Sequence, residues 1–520
     1  MTPDLKYMPD AIDAMPQVRH SPAMRSTEAI RWLGIVTRNR SAQLRRCLIS
    51  YARHLRKFER EYEVAIVDDT ENPAERRITR EWLREFQRRR RIRISYAGRE
   101  EKQAFIQKLA FAGIPPEDLS FALAPSSHLI ESPGANRNAL LLQTAGSLAL
   151  SCDDDSICRL RALSHGQMPN GVSSYGNADI EVQFAHDRLS ALQCFPAAEF
   201  DLMSAHETLL GRDLEEFISP NRANLGSQAK FIGASTVTDL VYRRGRVGVT
   251  LTGILGDPGM PDLMGFMLAR GDIRRRFLDY WSSRGKLDAI NVVSGVRHPI
   301  VSLKSSIMTT TATGIDHRTI LPPFVPGGRG EDTLFGLLLN KCNPELYTGF
   351  VPAALLHARK DAALHRRLTY SLRLGDILAA IVTGSAETIV PSPARRMELL
   401  ASHLLECAQA PAADFARYLH TSALRRIVGQ IENCRRLLRE FNSEPAAWAS
   451  ELLPWLADME SRLDDASIGL PTDATELRAW TFEGIQAIVG KLGRLLRLWP
   501  QIHSETLALQ ASGIRIAAPV

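Results

Sequence analysis

The chain reads as an α/β protein, a mostly parallel sheet with helices, followed by an all-helical C-terminal domain. Three observations predict this. Apolar runs of strand length alternate with amphipathic helices from Ile30 to Leu150, the signature of successive β-α-β units. Two of these runs end directly in clustered aspartates, Asp68-Asp69 and Asp153-Asp154-Asp155, where open α/β sheets bind their ligands. From about residue 365 strand signals fade and a Leu/Arg/Ala-rich helical period takes over, as in Leu424–Phe441 and Leu477–Leu498.

The elements follow in order. Residues 1–28, with Pro3, Pro9, Pro16 and Pro22 among scattered charges, read as a flexible arm. Ile30–Val36 is a short apolar run suited to a buried strand. A helix is expected from Ser41, a plausible N-cap, to about Phe58, with Leu44, Leu48, Tyr51 and Leu55 on one face. Val64–Val67 is a second buried strand. Pro73 opens a helix as a first-turn proline, and that helix runs to the Arg88–Arg91 cluster. Arg91–Tyr96 alternates as a third strand. Residues 99–132 hold one or two helices and a loop, Asn136–Ala145 a helix, and Leu148–Leu150 a strand. Residues 160–245 give mixed signals. Val247–Leu255 and Ile300–Thr311 read as further strands. A boundary between Lys360 and Arg373 divides an α/β domain (29–365) from the helical one (366–520), so a chain ending near Asp361 is expected to stay soluble.

Composition narrows the function classes. Hydrophobic residues at 45% and charged residues at 23% are ordinary for a globular protein with a sizeable core. The net charge of +6 favours anionic partners without choosing among them. The first residues lack the apolar core of a signal peptide, and no uncharged run approaches the ~20 residues of a spanning helix. The expected setting is cytoplasmic, with peripheral membrane contact left open. Seven cysteines, an odd number with no C-x-x-C pair, argue against a disulfide framework or a structural zinc site.

Four features carry chemistry. Asp68-Asp69 either caps a turn or faces a ligand. Asp153-Asp154-Asp155 packs like charges that need a positive partner, which a magnesium or manganese ion bridging to a diphosphate would supply. Glu331-Asp332 follows glycines and precedes an apolar helix. It is either the negative first turn favoured by the helix dipole or a general base. His357 ends an apolar run and gains weight only from its neighbours.

The order Gly34-Ile35-Val36-Thr37-Arg38-Asn39-Arg40, Val67-Asp68-Asp69-Thr70, Ala135-Asn136-Arg137-Asn138 and Asp153-Asp154-Asp155 resembles family-two glycosyltransferases. Those enzymes have a T-x-N-R strand end, a V-D-D turn, an A-x-R-N helix start and a D-x-D motif. Glu331-Asp332 resembles their downstream E-D motif, and His357 their late metal-binding histidine. The resemblance spans about residues 30–360. It departs in the long stretch between Tyr96 and Ala135 and in the ~175 residues from the aspartate triplet to Glu331.

The resemblance implies a GT-A (nucleotide-diphospho-sugar transferase) domain and a metal-dependent, inverting transfer from a UDP- or GDP-sugar to a hydroxyl of a glycan, lipid-linked or protein acceptor. It implies that Thr37, Arg38, Asp68, Asp69, Arg137, Asn138, Asp153 and Asp154 line the nucleotide. Asp153, Asp155 and His357 would hold Mn2+ or Mg2+. Asp332 would act as base with Glu331 in support.

Rival readings are an inactive GT-A binding module, a nucleotidyltransferase and a nucleic-acid-binding protein. A nucleotidyltransferase would show a glycine-rich loop after the first strand, where Thr37–Arg40 stands. The Arg88–Arg91 run suggests nucleic acid, but cations are expected at that helix end and no recognition signature accompanies them, so no nucleic-acid partner is expected. The helical tail is a candidate surface for homo-oligomers.

Overall fold

The computed structural model describes residues 29–124, 133–163, 171–173, 180–221, 234–242, 244–260, 263–284, 290–303, 308–359, 371–386, 390, 392–441, 446–465, 468–472 and 480–520. The arm expected at 1–28 and most of the boundary expected at 360–373 lie outside them.

The N-terminal third follows the expected alternation. β1 (Trp32–Thr37) is buried along its whole length, as a central strand covered on both faces must be. α1 (Ser41–Lys57) turns Leu44, Cys47, Leu48, Tyr51, Ala52 and Leu55 inward. Ser41 is its first residue rather than its cap; Arg40 takes the cap position, with no side-chain cap bond. β2 (Glu63–Asp68) leads into α2 (Pro73–Arg90), whose cap is Asn72, its side chain accepting from the Ala74 amide at 2.9 Å. β3 (Arg93–Ala97), α3 (Arg99–Phe111), α4 (Pro116–Leu123) and α5 (Pro133–Gln143) precede β4 (Leu148–Asp153).

β5 (Ser156–Ala162), β6 (Gly171–Ser173) and β7 (Glu181–Ala185) follow, then short helices between 188 and 241 and the long β8 (Arg246–Gly256). α6 (Gly271–Arg284), β9 (Asn291–Gly295), β10 (Ile300–Ser302), β11 (Ala312–Asp316), α7 (Glu331–Cys342) and β12 (Leu346–His357) complete the α/β part. The strand expected over Ile300–Thr311 is thus shorter, and Ala312–Asp316 forms a separate strand. After it come α8 (Leu374–Thr383), α9 (Pro393–Gln409), α10 (Ala412–Glu440), α11 (Ala446–Ser461), α12 (Phe482–Ala511) and the two-residue β13 (Ala518–Pro519).

All the described strands join one mixed sheet, whose main path runs β13-β3-β2-β1-β4-β11-β8-β12-β10-β6. β3, β2, β1 and β4 are parallel, β11 runs antiparallel between β4 and β8, and β8 is parallel to β12. The β12–β8 register shifts between Val351 and Ala354. Pro352 stands in this irregular stretch, where the missing amide proton costs no ladder bond. Beyond it, β12 also takes β5 as an antiparallel partner.

The helical C-terminal region is not set apart from the sheet, contrary to the independent domain expected from its composition. One apolar cluster contains Leu119, Leu141 and Phe324 together with Leu492, Leu496, Trp499 and Ile502 of α12. Trp499 donates its indole proton to the Leu321 carbonyl at 2.7 Å, and the Gln510 amide donates to the Leu142 carbonyl at 2.7 Å. β13 then extends the sheet edge by pairing antiparallel with β3, so the region is also not all-helical. Among the described residues, no helix is long and apolar enough to cross a membrane.

Candidate functional site

Parallel strands carry the residues that follow them to a common edge. In register, Thr37 lies beside Asp68, and Val36 beside Asp153, so residues 37–40, 68–71 and 153–155 meet at the carboxyl ends of β1, β2 and β4. β5 leaves the aspartate triplet and pairs with the end of β12, placing His357 opposite Ser156. The fold therefore joins three motifs that are far apart in sequence.

The triplet is held by protein cations. Asp154 accepts from the Thr37 hydroxyl at 2.6 Å. Arg40 bridges Asp154 and Asp155, 3.3 Å from each, while its own side chain is half exposed. Asp155 Oδ1 lies 3.2 Å from His357 Nε2, and His357 Nδ1 is 2.8 Å from the Asp257 carbonyl. Asp153 accepts from Arg137 at 3.0 Å and from the Thr310 hydroxyl at 3.0 Å, and Arg137 also donates to Thr310 at 2.9 Å. Arg137 is buried, and its guanidinium reaches Glu331 at 3.7 Å. Like charges so close are tolerated because Arg40, Arg137 and His357 intervene.

Protonation follows the same geometry. Burial, with Asp155 adding, lifts Asp154 to about 7. Burial would raise Asp155 as well, but the His357 bond and charge, helped by Arg40, bring it down to about 2. His357 rises because Asp155 outweighs its burial. Burial, then Asp332, lifts Glu331 to about 7 against the pull of Arg137.

Glu331 and Asp332 open α7 after Gly330, whose φ of 84° suits glycine. Asp332, less buried than Glu331, accepts from the Thr333 amide at 2.7 Å. The loop before them is seated on the C-terminal region: the Gly375 amide donates to the Arg329 carbonyl at 2.9 Å. A Cβ at Gly375 would come within 2.4 Å of the Gly330 carbonyl oxygen.

The first aspartate pair is enclosed. Asp68 accepts from the Tyr96 hydroxyl at 2.7 Å and from the Thr70 amide at 2.7 Å. Asp69 is fully buried against the Lys102 ammonium, which also donates to Asn136 at 2.9 Å. Asn136 donates in turn to the Thr37 carbonyl at 3.0 Å. Asn138, expected by the nucleotide, is fully buried and bonded to the backbone of Ala122 and Phe324, where it ties α4 to the loop before α7. Arg38 pairs with Glu71 at 2.5 Å.

Lys102, Thr310 and the bridging role of Arg40 escaped the sequence reading. Lys102 left a trace, because it stands three and four residues before Phe105 and Ile106 on the buried face of α3. Thr310 left none.

The donor set fits a divalent cation in part. Asp155 and His357 stand together as a ligand pair would, whereas Asp153 turns to Arg137 and Thr310. Among the described residues no group of three His, Cys, Asp or Glu side chains converges as a metal site. No family model, curated protein or solved structure matches the chain.

Proposed function

We propose that the chain is a GT-A-type glycosyltransferase that moves a sugar from a nucleoside-diphosphate donor to an acceptor hydroxyl with inversion. One observation carries the reading. Thr37, Arg40, Arg137, the aspartate triplet, Glu331 and His357 come from five separated segments and form one linked polar cluster at the carboxyl ends of parallel strands. The run of parallel strands β3-β2-β1-β4 followed by antiparallel β11 supports it as well.

In this reading Arg137 and Arg40 offer positive charge to a departing diphosphate, the group whose developing charge limits the transfer. Arg40 is half exposed and free to swing from Asp154 and Asp155 toward an anion. Manganese or magnesium, when bound through Asp155 and His357, supplies further neutralisation of that charge. Asp332 takes the acceptor proton, and Glu331 beside Arg137 supports it.

The test is a thermal-shift panel of UDP, GDP and their sugar conjugates with and without manganese. A ligand at 100 times its Kd stabilises by about 2.7 kcal/mol. Asp155→Ala is expected to lose the manganese-dependent part. Asp332→Asn is expected to keep the shift while transfer falls by roughly 10²–10⁴. A chain that no nucleotide stabilises overturns the proposal, and binding without transfer by the wild type leaves a non-catalytic binding module.

A further inference from the structure

Charge is unevenly placed on this chain. Between Arg38 and Arg93 stand seventeen arginines and lysines against nine carboxylates, while the other residues carry forty-seven against forty-nine. The excess of the whole protein thus resides in the segment that builds α1 and α2. These helices bury their apolar faces in one cluster, through Leu44, Leu48 and Tyr51 of α1 and Leu83 and Phe86 of α2, so both cover the same face of the sheet. Helix α1 has five cations and no carboxylate.

The cations point outward. Arg46, Arg53, Arg56, Arg84, Arg90 and Arg91 are exposed and have no carboxylate within ion-pair distance among the described residues. Arg46 and Arg53 are seven residues apart on α1, two helical turns, so they line one side of that helix, while Arg90 and Arg91 stand at the C-terminal end of α2. Unpaired like charges at this density repel one another and disfavour the compact state unless an anionic partner meets them.

The chemistry of the face selects the partner. Arginine binds phosphate through a planar two-pronged donor. The aromatic side chains here are covered: Arg45 lies over Trp82 at 5.2 Å, and Arg90 over the buried Phe86 at 5.8 Å. Among the described residues of this face no ring is exposed for stacking on a base, as single-stranded nucleic acid would require; Trp82 and Phe58 are partly buried beneath Arg45 and Lys57. Two helices side by side make a broad face, with the half-exposed Ile78 as its apolar element. A plane of phosphate headgroups matches this better than a grooved duplex.

We propose that the α1–α2 face docks on an anionic phospholipid surface. The aspartate cluster lies at the starts of these helices, and their C-terminal ends carry Arg56, Lys57 and Arg88–Arg90. A membrane lying along this face also meets those ends, while the polar cluster stays at the opposite edge of the face. Attraction of this kind is worth on the order of fivefold in partitioning per cation and fades within a Debye length of about 8 Å at physiological salt.

The experiment is co-sedimentation of the full chain with vesicles of phosphatidylcholine alone and with 30% phosphatidylglycerol, at low and high salt. The comparison protein is R46Q/R53Q/R56Q/R84Q. Wild type is expected to bind only the anionic vesicles and to release them in high salt. The fourfold variant, with an unchanged melting temperature, is expected to bind on the order of several hundred times more weakly. A single charge variant, R53Q, with a roughly fivefold loss serves if the fourfold variant does not fold. Equal binding by variant and wild type overturns the proposal. So does retention of wild type by single-stranded RNA but not by anionic vesicles.

Discussion

Replacing Lys102 by Met tests how the strand-end aspartates are held. Lys102 and Asp69 are 1% and 0% exposed, and the Lys102 ammonium also serves Asn136, which anchors the end of β1. Burial lowers the pKa of Lys102 despite Asp69, so desolvation already weighs heavily on this pair. Lys102→Met removes the charge and leaves a buried carboxylate with one fewer partner. Breaking a buried pair in this way costs about 3–5 kcal/mol. That is a large share of the ~5–15 kcal/mol that keeps a typical domain folded.

The assay is urea unfolding followed by tryptophan fluorescence, for Lys102→Met, Asp69→Asn and the double variant. Each single change is expected to lower the midpoint strongly. The double variant, with both charges gone, is expected to lose at least about 1.5 kcal/mol less than the sum of the two. Additive losses, or a Lys102→Met midpoint within about 0.5 kcal/mol of wild type, would refute the argument that the pair is a coupled buried unit.

Two further predictions concern the rest of the molecule. A chain ending at Asp361 loses Leu492, Leu495, Leu496, Trp499 and Ile502 from the shared cluster, each worth about 1.5–3 kcal/mol. It also loses the Gly375 seat of the Glu331–Asp332 loop, and is expected to be recovered as aggregate; a soluble, cooperatively melting fragment would show that the region is separable. His317 is fully buried beside His503, ring centroids 5.2 Å apart, and burial above all lowers it to about 3. Its folded pKa is below the unfolded value near 6.5, so stability is full above pH 6.5 and declines as pH falls from there to about 3. The slope is about 1.4 kcal/mol per pH unit for this one site. His317→Gln is expected to flatten the decline of the unfolding free energy from urea titrations between pH 6.5 and 4 by up to that amount, and an unchanged slope would contradict it.

The sequence alone determined the elements whose signals are local. The apolar runs of β1, β2 and β4 and the one-sided apolar spacing of α1 arise within single segments, as does the proline-started α2. The structure has each of them close to its expected place. Asp68-Asp69 and Asp153-Asp154-Asp155 were legible as strand-end carboxylates for the same reason.

Tertiary structure decided what these carboxylates face. Asp69 is enclosed by Lys102, thirty-three residues away, and Asp153 meets a threonine from a loop 157 residues on. No periodicity connects such residues, because the contact depends on how a mixed sheet orders its strands. The helical tail shows the same limit. Its composition resembles a free-standing bundle, since helical periodicity reports that a face is apolar and not what covers it. Only packing reveals that α12 lies against α3 and α4, helices of the α/β part, as well as against α9, and that the last residues return as β13 to the edge of β3.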